Sequence, residues 1–183
     1  GAIGLGTAVA LPDRFRRFAL LNTGAFRSTA MPWRIRACRM GPPAKLAVQG
    51  LNAFARAATR MAVCRHERMT PEVRAGLLAP YDSWSHRLAI HQFVLDIPMS
   101  LDHPSYDSLV AIERGLALFR QHPVALIWGM KDWCFTPAFL DRFIEFFPQA
   151  EVHRLEDAGH YVVEDAHERI APILERFLGA TPS

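Results

Sequence analysis

Apolar positions along the chain follow two rhythms, and the places where one gives way to the other divide it. Residues 1–11 are apolar with small side chains at most positions and stop at Pro12, which predicts a buried helix whose glycines permit close packing against a sheet. Residues 18–22 form a short apolar run, read as a buried strand. From Gly24 to about His122 apolar residues recur at helical spacing, broken by Pro32, Pro42, Pro43, Pro71, Pro80, Pro98 and Pro104. Helices are predicted over 43–60, from Thr70-Pro71-Glu72 onward, over 84–95 and over 105–120. Thr70 suits a cap and Pro71 the first helical position.

Beyond residue 122 strand and helix alternate. Residues 124–128 read as strand, a helix opened by Thr136-Pro137 runs through Phe147, 151–155 is a second strand and 164–177 a closing helix. Strands separated by helices imply an α/β fold with a parallel sheet covered on both faces. The predicted organisation is a core made of 1–23 and 123–183, interrupted at 24–122 by a mainly helical cap with its return helix.

Half of the 183 residues are hydrophobic, enough for one compact globular unit. A formal charge of +3, spread along the chain, gives no argument for nucleic acid or an anionic membrane surface. Cys38, Cys64 and Cys134 are odd in number and widely spaced, which fits a reducing compartment, and the protein is read as cytoplasmic. The apolar opening lacks a basic start and a cleavage context, and no run reaches the roughly 18 apolar residues of a membrane span.

Two segments carry the chemistry. Gly129-Met130-Lys131-Asp132 and Asp157-Ala158-Gly159-His160 each place an ionisable side chain just past a strand, where the backbone can aim it into a shared cleft. His160 is the expected general base, because a near-neutral imidazole can take a proton and return it. His66, His86, His91, His103, His122, His153 and His167 compete for that role but do not follow a strand-to-helix turn of this kind. Asp132 is expected to hold the imidazole in one tautomer and stabilise its charged form; the alternative is a loop aspartate capping the next helix, a place that Thr136 already suits. Glu156, Asp157 and Asp165 fit solvated loop or helix-start charges at least as well.

Trp133, Trp33 and Trp84, with Phe54 and Phe93, are candidates to line an apolar substrate cavity, a role that core packing explains equally well. Ser28, Ser83, Ser85, Ser100 and Cys64 lie outside any G-x-S-x-G context. His86 and His91 form no H-E-x-x-H array, and Gly1, Gly4 and Gly6 lack the preceding strand and spacing of a dinucleotide loop, so neither metal nor cofactor is expected.

Acid before histidine is the chain order of α/β-hydrolase triads. Gly1-Ala2-Ile3-Gly4-Leu5-Gly6, Leu20-Leu21-Asn22-Thr23, Gly129-Met130-Lys131-Asp132 and Asp157-Ala158-Gly159-His160-Tyr161-Val162 resemble the second half of an α/β-hydrolase of the haloalkane dehalogenase type. Within that group, Asn22-Thr23-Gly24-Ala25-Phe26, the helical cap and Trp133-Cys134-Phe135-Thr136-Pro137 resemble the β-lactone decarboxylases of bacterial olefin biosynthesis. The resemblance implies an aspartate nucleophile on a sharp turn after a strand, with Gly1 as the third residue after it. The chain would then be the C-terminal part of a longer protein, without the N-terminal strands and the nucleophile elbow.

On that reading a carboxylate attacks an electrophilic carbon and His160 activates water, with a strained lactone carrying long alkyl arms as the first substrate choice and a haloalkane or epoxide as the second. A serine esterase on the same fold is a third reading, and an inactive piece with only a binding role a fourth. The expected partners are a hydrophobic small molecule, and either other enzymes of the same pathway or further copies of the chain. A sheet without its first strands would expose an edge and an apolar face, so aggregation or oligomers are expected of the chain alone.

Overall fold

The computed structural model describes residues 1–179. Where length and composition pointed to one globular unit, the chain forms two compact units, one of Gly1–Arg27 with Ser108–Ser183 and one of Ser28–Asp107. All the strands among the described residues fall in the first unit, and the second is built from helices and turns.

In chain order the elements are α1 (Ala2–Ala10), β1 (Phe18–Leu21), α2 (Trp33–Ala37), α3 (Gly41–Lys45), α4 (Ala53–Met61), α5 (Pro71–Leu78), α6 (Leu88–Leu95), α7 (Tyr106–Gly115), β2 (Val124–Gly129), α8 (Pro137–Phe146), β3 (Glu151–Leu155) and α9 (Val162–Gly179). The three strands are parallel in the order β1-β2-β3, with Leu21 opposite Ile127 and Gly129 opposite Leu155 at the last paired positions. Every residue of the central strand β2 is buried, which is why its sequence runs apolar without alternation.

Successive β2 side chains point to opposite faces. Leu126 and Trp128 join Leu5, Phe18, Phe119 and Phe143 on one face, whereas Ile127 meets Leu155, Val162 and Ile170 on the other. The buried Trp128 ring keeps its polar atom satisfied by donating from Nε1 to the Phe135 carbonyl at 2.9 Å. In α7, Glu113 receives the Arg27 amide at 3.0 Å and its guanidinium at 2.6 Å. That guanidinium, more than any other group, holds the Glu113 carboxyl below the usual carboxylate range.

The second unit departs from the predicted helices in ways its sequence explains. The helix expected over 43–60 is broken: α3 ends at Lys45, a wider turn closes with Leu51 donating to the Leu46 carbonyl at 3.2 Å, and Asn52 adopts φ +53 before α4 begins. Asparagine tolerates that left-handed backbone, and here its Nδ2 donates to the Tyr81 carbonyl at 3.1 Å. The helix expected from residue 84 starts at Leu88 instead, because Asp82 and Ser83 bind His86 in a local turn. Arg87 then ties the two breaks together, its guanidinium donating to the carbonyls of Tyr81, Asp82, Gln49 and Gly50 at 2.7–3.0 Å. Thr70 accepts from the Val73 amide at 3.3 Å with Pro71 in the first helical position, as its sequence predicts.

Phe143 is fully buried and meets Phe26 edge-on at 5.1 Å and Trp128 at 5.9 Å. Phe143→Ala is expected to lower stability by about 3–5 kcal/mol, read from the midpoint of urea unfolding at unchanged slope.

Candidate active site

Parallel strands deliver their carboxyl ends to the same edge of a sheet, the place where open α/β sheets gather functional loops. Here that edge collects Asn22 after β1, the turn from Gly129 to Asp132 after β2, and the turn from Ala158 to His160 after β3. The last two turns are sewn to each other by backbone bonds. Met130 donates to the Leu155 carbonyl at 3.0 Å, and Lys131 to the Ala158 carbonyl at 3.0 Å. Gly129 makes this approach possible: a Cβ there would lie 2.4 Å from the Gly159 carbonyl oxygen and 2.8 Å from that of Ala158.

The two turns bring His160 Nδ1 to 2.9 Å from Asp132 Oδ2. The Asp132 side chain has no solvent exposure, whereas that of His160 keeps 29%. The carboxylates beside His86, His153 and His167 keep 68, 41 and 41% of their side-chain surface exposed, so of these four pairs only that of His160 has a carboxylate shut away from water.

Burial is the largest influence on the Asp132 carboxyl and would raise it. The hydrogen bond and charge of His160, the Cys134 amide at 2.6 Å from Oδ1 and the Asn22 amide at 2.8 Å from Oδ2 together outweigh it, and the carboxyl lies below its ordinary range. An ionised carboxylate only accepts, so Nδ1 of His160 carries the proton and Nε2 is left as the basic nitrogen of the ring. Such a pair can take a proton at Nε2 and hold the resulting imidazolium against a fixed negative charge. Phe135 flanks the ring at 5.6 Å.

Asp132 thus accepts a bond at the start of its own loop, from Cys134, and does not cap α8; Thr136 takes the cap position, although its side chain makes no capping bond. Burial, aided by the Asp132 charge, pushes the Cys134 thiol up to about 12, leaving it a neutral thiol near pH 7. Asp165, which the sequence offered as a solvated charge, is fully buried and accepts from the Gly159 amide at 2.7 Å, fixing the turn that carries His160. Asp157 is half exposed and bound to Arg169 at 2.6 Å, and Glu156 is exposed.

Trp133 is half-buried beside Asp132. Trp33 and Trp84 belong to the second unit, where Trp33 is 70% exposed under the Arg34 guanidinium and Trp84 is 49% exposed against Gly50. Sequence reasoning assigned no role to Asn22 or Gly129, and read Asp165 as a solvated charge where it is a buried acceptor. The available signal was positional, an asparagine and a glycine each at the carboxyl end of an apolar run and an acid six residues beyond the glycine of the histidine turn.

A family model described as alpha/beta hydrolase fold matches residues 1–166. The chain is 34% identical over 184 residues to a cis-3-alkyl-4-alkyloxetan-2-one decarboxylase of Shewanella oneidensis, covering 99% of this chain and 58% of that protein. It is 36% identical over 185 residues to a protein of the same name from Xanthomonas campestris pv. campestris, covering 100% of this chain and 61% of that protein. A crystal structure of a haloalkane dehalogenase loop variant from Bradyrhizobium elkanii superimposes with a TM-score of 0.83 at 20% identity, over 97% of this chain and 64% of that one. The chain therefore spans about three-fifths of the length of the curated relatives it matches.

Gly129→Ala is expected to force the two turns apart at a cost of about 1–3 kcal/mol, seen as a lower urea midpoint. The depressed Asp132 carboxyl gives a second expectation. Its ionised form adds stability above the ordinary aspartate range, and that contribution is lost as pH falls through the folded-state value. Unfolding free energy measured from pH 6 to pH 3 should therefore fall more steeply in the native chain than in Asp132→Asn.

Proposed function

Because the chain belongs to the alpha/beta hydrolase fold family, we propose that it carries the acid and base of a β-lactone decarboxylase acting on a substrate with two alkyl arms. The observation that carries this reading is the pair of relatives with that activity in their names, each aligned along 99% or more of the chain. The name cis-3-alkyl-4-alkyloxetan-2-one describes a four-membered lactone. Breaking its C4–O and C2–C3 bonds yields one alkene and one carbon dioxide, and the reaction consumes neither water nor a redox partner.

His160 and Asp132 are proposed as the base and its orienting acid, serving a carboxylate nucleophile of the kind the family resemblance implies. Attack of that carboxylate on C4 forms an ester bond as C4–O breaks, and negative charge develops on the departing carboxylate. His160, once it has taken a proton from solvent and is held against Asp132, is suited to stabilise that charge. Cleavage of C2–C3 then releases carbon dioxide, forms the alkene and expels the nucleophile's carboxylate, which is regenerated unchanged. The same pair would activate water if the covalent ester had to be hydrolysed, as it would with a haloalkane. Trp133, beside the acid, is proposed to contact the alkyl arms, and Trp33 and Trp84, exposed aromatic rings of the second unit, are proposed as apolar contacts of that unit. Cys38, Cys64 and Cys134 form no disulfide, which supports a reducing, cytoplasmic setting for the protein.

The direct test gives the protein that carries this chain a cis-3,4-dialkyl β-lactone and a 1-haloalkane in parallel. Alkene and carbon dioxide are expected from the lactone, and His160→Ala should lower kcat by about 10²–10⁴-fold. Halide release without alkene formation, or full activity in His160→Ala, would contradict the proposal.

A further inference from the structure

Asn22 leaves strand β1 with φ +30, a left-handed backbone that an L residue other than glycine adopts at a cost and that asparagine tolerates best. The turn stops the backbone ladder with β2 one residue short, since Leu21 and Ile127 are the last pair. The Asn22 side chain takes over where the backbone stops. Its Oδ1 accepts from the Gly129 amide at 2.7 Å, and its Nδ2 donates to the Gly129 carbonyl at 3.2 Å, so the amide group stands in for a peptide in the ladder.

That pairing has a second effect. A side-chain amide can ordinarily be turned end for end, but an N–H needs an acceptor, so the Gly129 amide fixes which end of Asn22 is oxygen. The nitrogen end must then face Asp132, and its remaining hydrogen points to Oδ2 at 2.8 Å. This is the oxygen that also receives His160 Nδ1 at 2.9 Å. The Asn22 residue is 6% exposed and the Asp132 side chain is fully buried, so water does not replace a lost donor cheaply.

We propose that Asn22 is a positioning residue for the candidate base: its amide, locked by the Gly129 peptide, donates to Asp132 Oδ2 and thereby fixes the carboxylate that orients His160. The Cys134 amide and Asn22 are neutral, permanent donors, and they keep Asp132 ionised before His160 takes up a proton. Its ionisable neighbours are His160 from the turn after β3 and the neutral Cys134 thiol of its own loop. Asn22 acts on the chemistry only through Asp132, and its functional meaning rests on the reading of His160 and Asp132 given above.

Asn22→Asp separates this role from a purely structural one. It keeps the size of the side chain and an acceptor for the Gly129 amide, but it sets a second carboxyl group against Asp132 in place of a donor. Two carboxyl groups at that distance share a proton, and one of them titrates well above its ordinary range. The measurement is a carbon-13 NMR titration of the Asp132 carboxyl, with unfolding monitored alongside, in the native chain, Asn22→Asp and Asn22→Leu.

In Asn22→Asp, Asp132 and the introduced carboxyl group are expected to titrate as a pair, with an upper apparent midpoint at least about two pH units above that of native Asp132. In Asn22→Leu, which removes the donor without adding charge, the Asp132 midpoint should rise by a smaller amount. An unmoved Asp132 midpoint in folded Asn22→Asp would overturn the proposal, as would equal midpoints in the native chain and folded Asn22→Leu. If Asn22→Asp does not fold, Asn22→Leu decides alone, and the reverse holds. The titration needs no substrate, so it stands apart from the activity assay, whose failure would remove the catalytic reading while leaving the hydrogen-bond role measurable.

Discussion

A carboxylate shut away from water must find its donors within the chain, and the position of Asp132 is set by where those donors come from. One comes from Cys134 in its own loop, one from Asn22 after β1 and one from His160 after β3. These three segments lie together only because β1, β2 and β3 run parallel in that order, so that their carboxyl ends share an edge. The fold and the candidate site are therefore one problem: burial of the apolar β2 strand on both faces offsets the entropic cost of ordering the edge, and the edge in turn satisfies the buried Asp132 carboxylate.

The same logic explains the two residues that support the histidine turn from behind. Gly129 is the point where strand β2 comes within contact distance of the Ala158-Gly159 backbone, and a side chain there would hold the turns apart. Asp165 is a second buried acid, and it accepts the Gly159 amide. Both act on the backbone of the turn that carries the imidazole. Here backbone bonds and buried polar groups hold the turns of the site together.

Much of the architecture was legible in the sequence because it follows from periodicity. The runs at 18–22, 124–128 and 151–155 became the three parallel strands, and the Thr70-Pro71 signal opened a helix. What the pattern did not contain was anything decided by tertiary contact. The break at Asn52 depends on Tyr81, the late start of α6 on Asp82 and Ser83, and the burial of Asp165 on a glycine six residues earlier. Asp132 and His160 were legible because each follows a strand, where chain geometry alone limits the places a side chain can go. Asn22 occupies the same kind of position, but its chemistry lies in which end of an amide faces which partner, and no spacing rule carries that information.

Asp132 accepts from Nδ1 of His160, and this leaves Nε2 as the unprotonated ring nitrogen. Nitrogen-15 NMR of the histidine rings, recorded above the pH at which the imidazole is charged, reports the tautomer directly. His160 is expected to be protonated at Nδ1, the tautomer less favoured by free histidine, and to revert in Asp132→Ala. A His160 ring protonated at Nε2 in the native chain would contradict this arrangement.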